Sequence, residues 1–376
     1  MDSTINPENS FSSHKLMQSV YHYVEINGKY FSLKQNPICL AWYFFCKTKS
    51  LNYRRAFSIK RKIRILKIFI LIYCGLIKRS VVSFPFPGHM ILRVHGGYRI
   101  FNFSREIVTK VIETKSNFLK EMNEVERILI TRQFNFAPKI FNWDQEQEWY
   151  EEELVNGTIG YQNLQCNSSA LLNMFKQDIA PCLVKMILLK TPSNTTVGAI
   201  TKNCNQIWQN SRSNFKGLDI SAIDSIGDFF SDIIAKLSES AEQPVYRNIT
   251  HGDFSLANML NTKKGLMVID WESIAYRSAL FDFYNFFLTE LYYNRTSTNF
   301  IRETREAIVY IKEKLNAKNL EVANHLVALA DVYRLLYYVE RICMLIERGI
   351  NKKILEVISR SIQIFAEHEK AILKEE

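Results

Sequence analysis

Glycine and proline are scarce in this chain, 13 and 8 of 376 residues. That excludes collagen-like and Gly/Pro-rich disordered classes. The seven cysteines, Cys39, Cys46, Cys74, Cys166, Cys182, Cys204 and Cys343, are an odd set with no C-x-x-C pair. Such usage argues against a disulfide scaffold and a zinc cluster, and points to a reducing compartment. The first twenty residues hold no apolar run after a basic start, so the expectation is a cytoplasmic chain rather than one with a cleaved secretory signal. The apolar run between Lys67 and Lys78 is ten residues, half of the ~20 a bilayer crossing needs. Acidic residues are nearly missing from the first 80 positions, where only Asp2, Glu8 and Glu25 stand against 14 Lys and Arg. The rest of the chain carries 34 basic and 35 acidic residues, so the net charge of +10 belongs to the N-terminal segment. A nucleic-acid-binding domain would spread its basic charge over a face of the fold, and no nucleic-acid partner is expected.

What is present is a large apolar fraction, 47%, material for a large core, in a chain of 376 residues whose length suggests two or three compact units. In Arg54 to Arg79, apolar residues at Ile59, Ile63, Leu66, Ile70, Tyr73 and Ile77 recur at helical spacing, and Lys and Arg load the first half. This predicts a basic amphipathic helix, either packed on a neighbouring lobe or laid on a membrane surface at the inner face. From Ser80 the pattern shifts to three short β-prone runs, His89–Val94, Tyr98–Phe103 and Glu106–Ile112. A helix is predicted from Phe118 to Arg132, then two strands over Ile140–Trp143 and Glu148–Val155. After Gly157 the pattern is helical except for Ile249 to Ile274, which reads as loop, strand, turn and strand. The expected division is a basic helical extension over 1–80, a small antiparallel β lobe over 81–157, and a larger helical lobe over 158–376. The fold class is α+β.

The exception to helical patterning holds polar residues unusual for a core: His251-Gly252-Asp253-Phe254-Ser255-Leu256-Ala257-Asn258-Met259-Leu260, then Val268-Ile269-Asp270-Trp271-Glu272. Phosphoryl transfer from a nucleotide needs a carboxylate that orients or deprotonates the attacking hydroxyl, and oxygen ligands that hold Mg²⁺ against the phosphates. Five positions separate Asp253 from Asn258, as in the protein-kinase catalytic loop, and Asp270 lies seventeen beyond Asp253. Five residues of loop let two side chains converge on one ion, and a short hairpin delivers the third from a strand end.

On these residues, HGDFSLANML, VIDWE and Asp282 within Ala279-Leu280-Phe281-Asp282, the chain resembles the aminoglycoside phosphotransferase and choline kinase family over roughly residues 85 to 350. The resemblance implies a bilobal protein-kinase-like fold and an ATP- and Mg²⁺-dependent phosphotransferase acting on a hydroxyl. It implies Asp253 as catalytic base, Asn258 and Asp270 as Mg²⁺ ligands, and His251 as a loop-shaping residue. Lys110, alternating out of the third strand, can reach the α and β phosphates, with Glu124 as its expected partner and Glu121 one turn earlier as competitor. Glu153-Leu154-Val155-Asn156-Gly157 resembles the family's adenine-binding hinge. Gly96-Gly97, between the first two strands, would let the backbone approach phosphate, though the pattern departs from G-x-G-x-x-G.

The expected acceptor is a small molecule or a glycan: an aminoglycoside, an amino alcohol or a sugar. Asp178, Asp219, Asp224, Asp228, Asp232, Glu239 and Glu242 recur at helical intervals, as on a solvated face. Tyr284, Tyr292 and Tyr293 could stack on an acceptor or belong to the core. Two other readings stand beside the kinase: a catalytically weak binding module on a kinase scaffold, and a lipopolysaccharide-type glycolipid kinase docked on a membrane surface through residues 54–79.

Overall fold

The structure, a computed structural model, describes residues 21–26, 29–34, 36–42, 59–78, 81–94, 97–112, 124–146, 148–159, 168–189, 195–215, 219–294, 300–349 and 351–375. They fall into two compact units. One holds the chain up to Lys115, Met122–Ile159 and the hairpin segment Leu260–Met267; the other holds Gly160–Met259 and Val268–Glu376.

The first unit runs β1 (Tyr21–Ile26), β2 (Lys29–Ser32), α1 (Pro37–Trp42), α2 (Ile59–Tyr73), β3 (Val81–Phe84), β4 (Met90–Val94), β5 (Gly97–Asn102), β6 (Ile107–Ile112), α3 (Glu124–Leu129), β7 (Ile140–Asp144), β8 (Trp149–Glu153) and β9 (Thr158–Ile159). Eight strands form one antiparallel sheet in the order β3-β1-β2-β4-β5-β6-β8-β7. Its inner strands carry apolar residues on both faces, and each face packs into a cluster of its own. Period-two alternation sends Tyr23, Ile91, Ile100 and Trp149 into one cluster. It sends Val24, Met90, Phe101 and Val108 into the other. Pairing of Ile91 with Ile100, and of Phe101 with Met90 and Val108, locks that register, since a one-residue slip would exchange the two faces.

The three strands expected after Ser80 are β4, β5 and β6, and those after Pro138 are β7 and β8. Of the helix expected over 118–132, α3 occupies Glu124–Leu129 and a 3₁₀ turn follows, while 118–123 lie outside the described residues. The boundary expected at residue 80 is not where the structure divides. β1 and β2 lie in the same sheet as β4, through pairs such as Phe31 with Met90. The expected amphipathic helix is α2, and its Ile65 and Phe69 are fully buried against Val24, Phe31, Met90 and Phe101. Thus the N-terminal segment supplies strands and core to the β unit as well as a basic helix. No helix among the described residues is long and apolar enough to cross a membrane.

The second unit continues with α4 (Ser168–Met174), α5 (Ala180–Leu188), β10 (Thr195–Thr196), α6 (Val197–Ser211), α7 (Ile220–Ser238), β11 (Pro244–Val245) and β12 (Arg247–Thr250). The chain then passes through the hairpin strands β13 (Met259–Thr262) and β14 (Gly265–Val268), whose Leu260–Met267 belong to the first unit, and returns with β15 (Ala275–Ser278), α8 (Phe281–Asn294), α9 (Phe300–Asn316), α10 (Leu320–Ala328), α11 (Ala330–Glu347) and α12 (Lys352–Glu375). α11 is the central helix: Tyr333, Leu336, Tyr337, Ile342 and Met344 are all buried. β12 and β15 pair antiparallel, Ile249 with Tyr276 and Thr250 with Ala275, and so bracket the loop–hairpin stretch. The small-lobe sheet and the larger helical part make this an α+β fold.

Candidate active site

The loop Thr250 to Asn258 is shaped by buried partners rather than by regular structure. Asp282, near the start of α8, is buried and accepts the N–H groups of His251 at 2.5 Å and Gly252 at 2.9 Å. Burial pushes its carboxyl pKa up, while the adjacent His251, the two N–H bonds and the Arg277 charge pull it down. The fully buried Arg277 guanidinium, brought down to about 10 by burial, donates to Thr250 Oγ1 at 2.7 Å and lies over the Phe281 ring. His251 Nδ1 accepts the Asp253 N–H at 3.2 Å, which makes Nε2 the protonated nitrogen that donates to Ile269 O at 2.9 Å. A neutral imidazole thus ties the loop to the strand that precedes Asp270. Gly252 has φ +81°, and a Cβ there would stand 2.5 Å from Ser273 O, so no other residue fits without displacing backbone.

Asp253 and Asn258 meet. Asn258 Nδ2 donates to the Asp253 carbonyl at 2.9 Å and to its Oδ2 at 3.1 Å. The five-residue spacing closes on itself, and the clamp turns the Asn258 carboxamide oxygen away from the aspartate. Asp253 itself is only half-buried. Asn258 O accepts the Ile269 N–H at 2.8 Å, which brings the segment entering Asp270 beside Asn258. Asp270 has a left-handed backbone, φ 70° and ψ 52°, a conformation that Asp tolerates better than most residues and that clusters at functional positions. Further support comes from Asn285 Nδ2 donating to Phe254 O at 3.0 Å and from Leu256 N–H donating to Glu290 Oε1 at 3.0 Å.

Two arginines of the α11 region complete the surroundings. Arg341 donates to Gly252 O at 3.0 Å and lies 3.9 Å from Asp253 Oδ1. Arg348 donates to Ser273 Oγ. Burial lowers the Arg348 pKa and the neighbouring Arg341 lowers it further, against the pull of Asp253, Asp270 and Glu272. Sequence reasoning missed both arginines and Glu290. They lie on α8, on α11 and at the residue that caps α11, far along the chain from the loop, with no motif around them.

In the β unit, Lys110 on β6 is buried, and its ammonium lies 3.1 Å from Glu152 Oε1 on β8 and over the Tyr150 ring. Lys110 stands opposite Tyr150, and Val108 opposite Glu152, so all four side chains share one face. Glu152 is therefore a partner that sequence reasoning did not name. The side chains of Glu124 and Glu121 lie outside the described residues, as does Gly96. Gly97 opens β5 opposite Val94.

In the hinge-like segment, the N–H groups of Glu153 and Leu154 donate to Lys139 O and Glu106 O, and Glu153 pairs with Lys264 at 3.4 Å. Val155 is buried, and among the described residues no hydrogen bond takes up its N–H. Of the other residues singled out, Tyr284 is core, donating to Ala330 O at 2.9 Å. Asp219 caps α7, and Asp232 pairs with Lys236 one turn on. Among the described residues no group of three or more His, Cys, Asp or Glu side chains is arranged to hold a metal. The donor set at the loop is instead two carboxylates and one carboxamide, all oxygen, which suits a hard divalent cation.

A choline kinase from Cryptosporidium parvum Iowa II superposes on this chain with a TM-score of 0.51, over 78% of this chain and 89% of that one, at 13% identity. The chain has the fold of choline kinase. Choline kinase LicA from Streptococcus pneumoniae matches at a TM-score of 0.48, over 81% of this chain and 99% of that one, at 12% identity. An ethanolamine kinase from Plasmodium vivax matches at 0.46, over 82% and 89%, at 14% identity. No family model and no curated protein sequence matches the chain.

Proposed function

We propose that the chain is an ATP- and Mg²⁺-dependent phosphotransferase that moves the γ-phosphoryl group to a hydroxyl of a small molecule or glycan. The observation that carries this reading is the Asn258 clamp on Asp253, in a loop pinned by Asp282 and His251, with Asp270 entering from the strand tied to Asn258. The choline kinase fold supports it. Asp253 orients the acceptor hydroxyl and takes its proton as the new P–O bond forms, while the phosphoryl group leaves the β-phosphate of the nucleotide. The clamp presents one face of the aspartate to the acceptor and keeps the carboxylate aligned through the reaction. Asn258 Oδ1 and Asp270 would hold Mg²⁺, which when bound neutralises charge on the nucleotide phosphates. Lys110 binds phosphate oxygens, the Glu152 carboxylate and Tyr150 ring fixing its ammonium, with Glu124 a second proposed partner. Val155 offers its main chain to the adenine edge beside Glu153, and Gly96-Gly97 would cover phosphate.

The test is incubation with γ-labelled ATP and a panel of amino alcohols, aminoglycosides, sugars and core oligosaccharides. Label should pass to one acceptor, EDTA should stop transfer, and Asp253→Asn should reduce kcat by at least ~100-fold. Transfer by Asp253→Asn at the parent rate would remove Asp253 from the role of base.

A second reading, a binding module on a kinase scaffold, is favoured by the burial of Lys110 against Glu152 and Tyr150. It predicts no Mg²⁺-dependent nucleotide binding. Nucleotide at 100 times its Kd stabilises a protein by ~2.7 kcal/mol, so a thermal-shift titration with ATP and Mg²⁺ separates the two readings.

A further inference from the structure

α2 has three faces, and the sheet uses only one of them. At 100° per residue, Ile65 and Phe69 point into the core, and both are fully buried. About 100° round the helix, Ile59, Ile63, Ile70 and Tyr73 form a stripe about 80° wide, with Leu66 between them partly buried against the core cluster. The four end residues are 68, 53, 40 and 54% exposed. The stripe continues past the helix end into Leu76, 72% exposed, and to Val81 at the start of β3, 52% exposed. On the far side of the stripe from the core, Lys60, Arg64 and Lys67 occupy a third sector and all are exposed. Lys78 follows beyond the helix, also exposed. The sector most remote from the core thus holds three basic residues and the half-buried Leu71, with no acidic residue anywhere in α2. A helix that served only to cover the sheet would need Ile65 and Phe69 with the flanking Leu66, Ile68 and Ile72, and would keep its solvent side polar.

We propose that this outer surface of α2 docks the protein on an anionic lipid bilayer, with Ile59, Ile63, Ile70, Tyr73 and Leu76 seated at the headgroup–acyl boundary and Lys60, Arg64 and Lys67 on lipid phosphates. Charge complementarity selects the occupant. The segment up to residue 80 holds 14 basic and 3 acidic residues, and apolar residues beside a basic row match a surface that is negative outside and apolar just beneath. The described helix is 15 residues, about 22 Å, so it lies along the surface and does not cross. The inference does not depend on phosphotransfer, since the stripe belongs to elements that carry no residue of the candidate active site.

The test is flotation of the full chain with vesicles of phosphatidylcholine alone and of phosphatidylcholine with phosphatidylglycerol. The protein should float with the anionic vesicles at low salt, stay behind with the neutral ones, and be released as the salt is raised. Each basic residue near the surface is worth about five-fold in partitioning, so Lys60→Glu/Arg64→Glu/Lys67→Glu should weaken it by ~100-fold or more. Ile63→Ser/Ile70→Ser should release the protein even at low salt. Because these side chains are exposed, circular dichroism melts of both variants should match the parent. Flotation of either variant at the parent level would overturn the proposal, as would failure of the parent to float. A dimer in sedimentation velocity that Ile63→Ser/Ile70→Ser turns into monomer would overturn it too, since the surface would then be a self-interface.

Discussion

Glu290 stands on α8 behind the Thr250–Asn258 loop, and burial lifts its carboxyl to about 7 although the Leu256 N–H bond pulls it down. Glu347, also lifted by burial, lies at about 7 as well, against the opposing charge of Arg277. Both start from an ordinary value of 4.5, so between that pH and about 7 the folded chain binds more protons than the unfolded one. Their contribution is complete below pH 4.5 and is lost as pH rises through 7. Denaturant stability should therefore fall across that window by up to about 3 kcal/mol for Glu290 and by less for Glu347, which solvent partly screens. Glu290→Gln, which keeps an acceptor for Leu256, should flatten its share; an unchanged pH profile would show that Glu290 does not titrate there. At Gly252 the backbone conformation and the close approach of Ser273 O act together, and Gly252→Ala should cost about 1–3 kcal/mol. Asp270→Asn separates chemistry from folding. Asn also accepts a left-handed backbone, so the melting temperature should hold, while the lost charge lowers phosphoryl transfer by ~100-fold or more.

Among the elements, the β6–β8 pair carries the most consequence. A buried ion pair loses about 3–5 kcal/mol when one partner is removed, because the other charge is left in the interior. Lys110→Met should show that loss in urea titration, and Lys110→Met/Glu152→Met should recover much of it. Transfer activity would stay low in both variants, and equal stability of the single and double variants would show that the pair is not coupled. Strands β4 to β8 could be read from alternation, because short apolar runs and turn residues are local signals. Glu152 could not, since the strand pairing that places it diagonally from Lys110 is set by pleat and register. β1 and β2 were hidden for a different reason. They are short, six and four residues, they sit in a segment whose charge dominates its pattern, and β2 pairs with β4 across an excursion that includes α1 and α2.

At the scale of the molecule, the N-terminal segment is structural as well as basic. A chain beginning at residue 81 would lack β1 and β2, leave β4 as an open edge and strip Ile65 and Phe69 from the core they cover. It should aggregate or fail to fold, as size-exclusion chromatography and circular dichroism would show, whereas a separable extension would come away cleanly. The candidate constellation stood out in the chain because its geometry is local: five residues of loop, a glycine at a forced turn, and an aspartate at a strand end. The α+β class followed from where period two gives way to period 3.6. Other features needed folding in three dimensions: the carboxylate that holds Lys110, the arginines and the glutamate around the loop, and the solvent-facing side of α2. Each joins residues far apart in the chain, or depends on which of two apolar faces finds a partner, and a linear pattern does not record either.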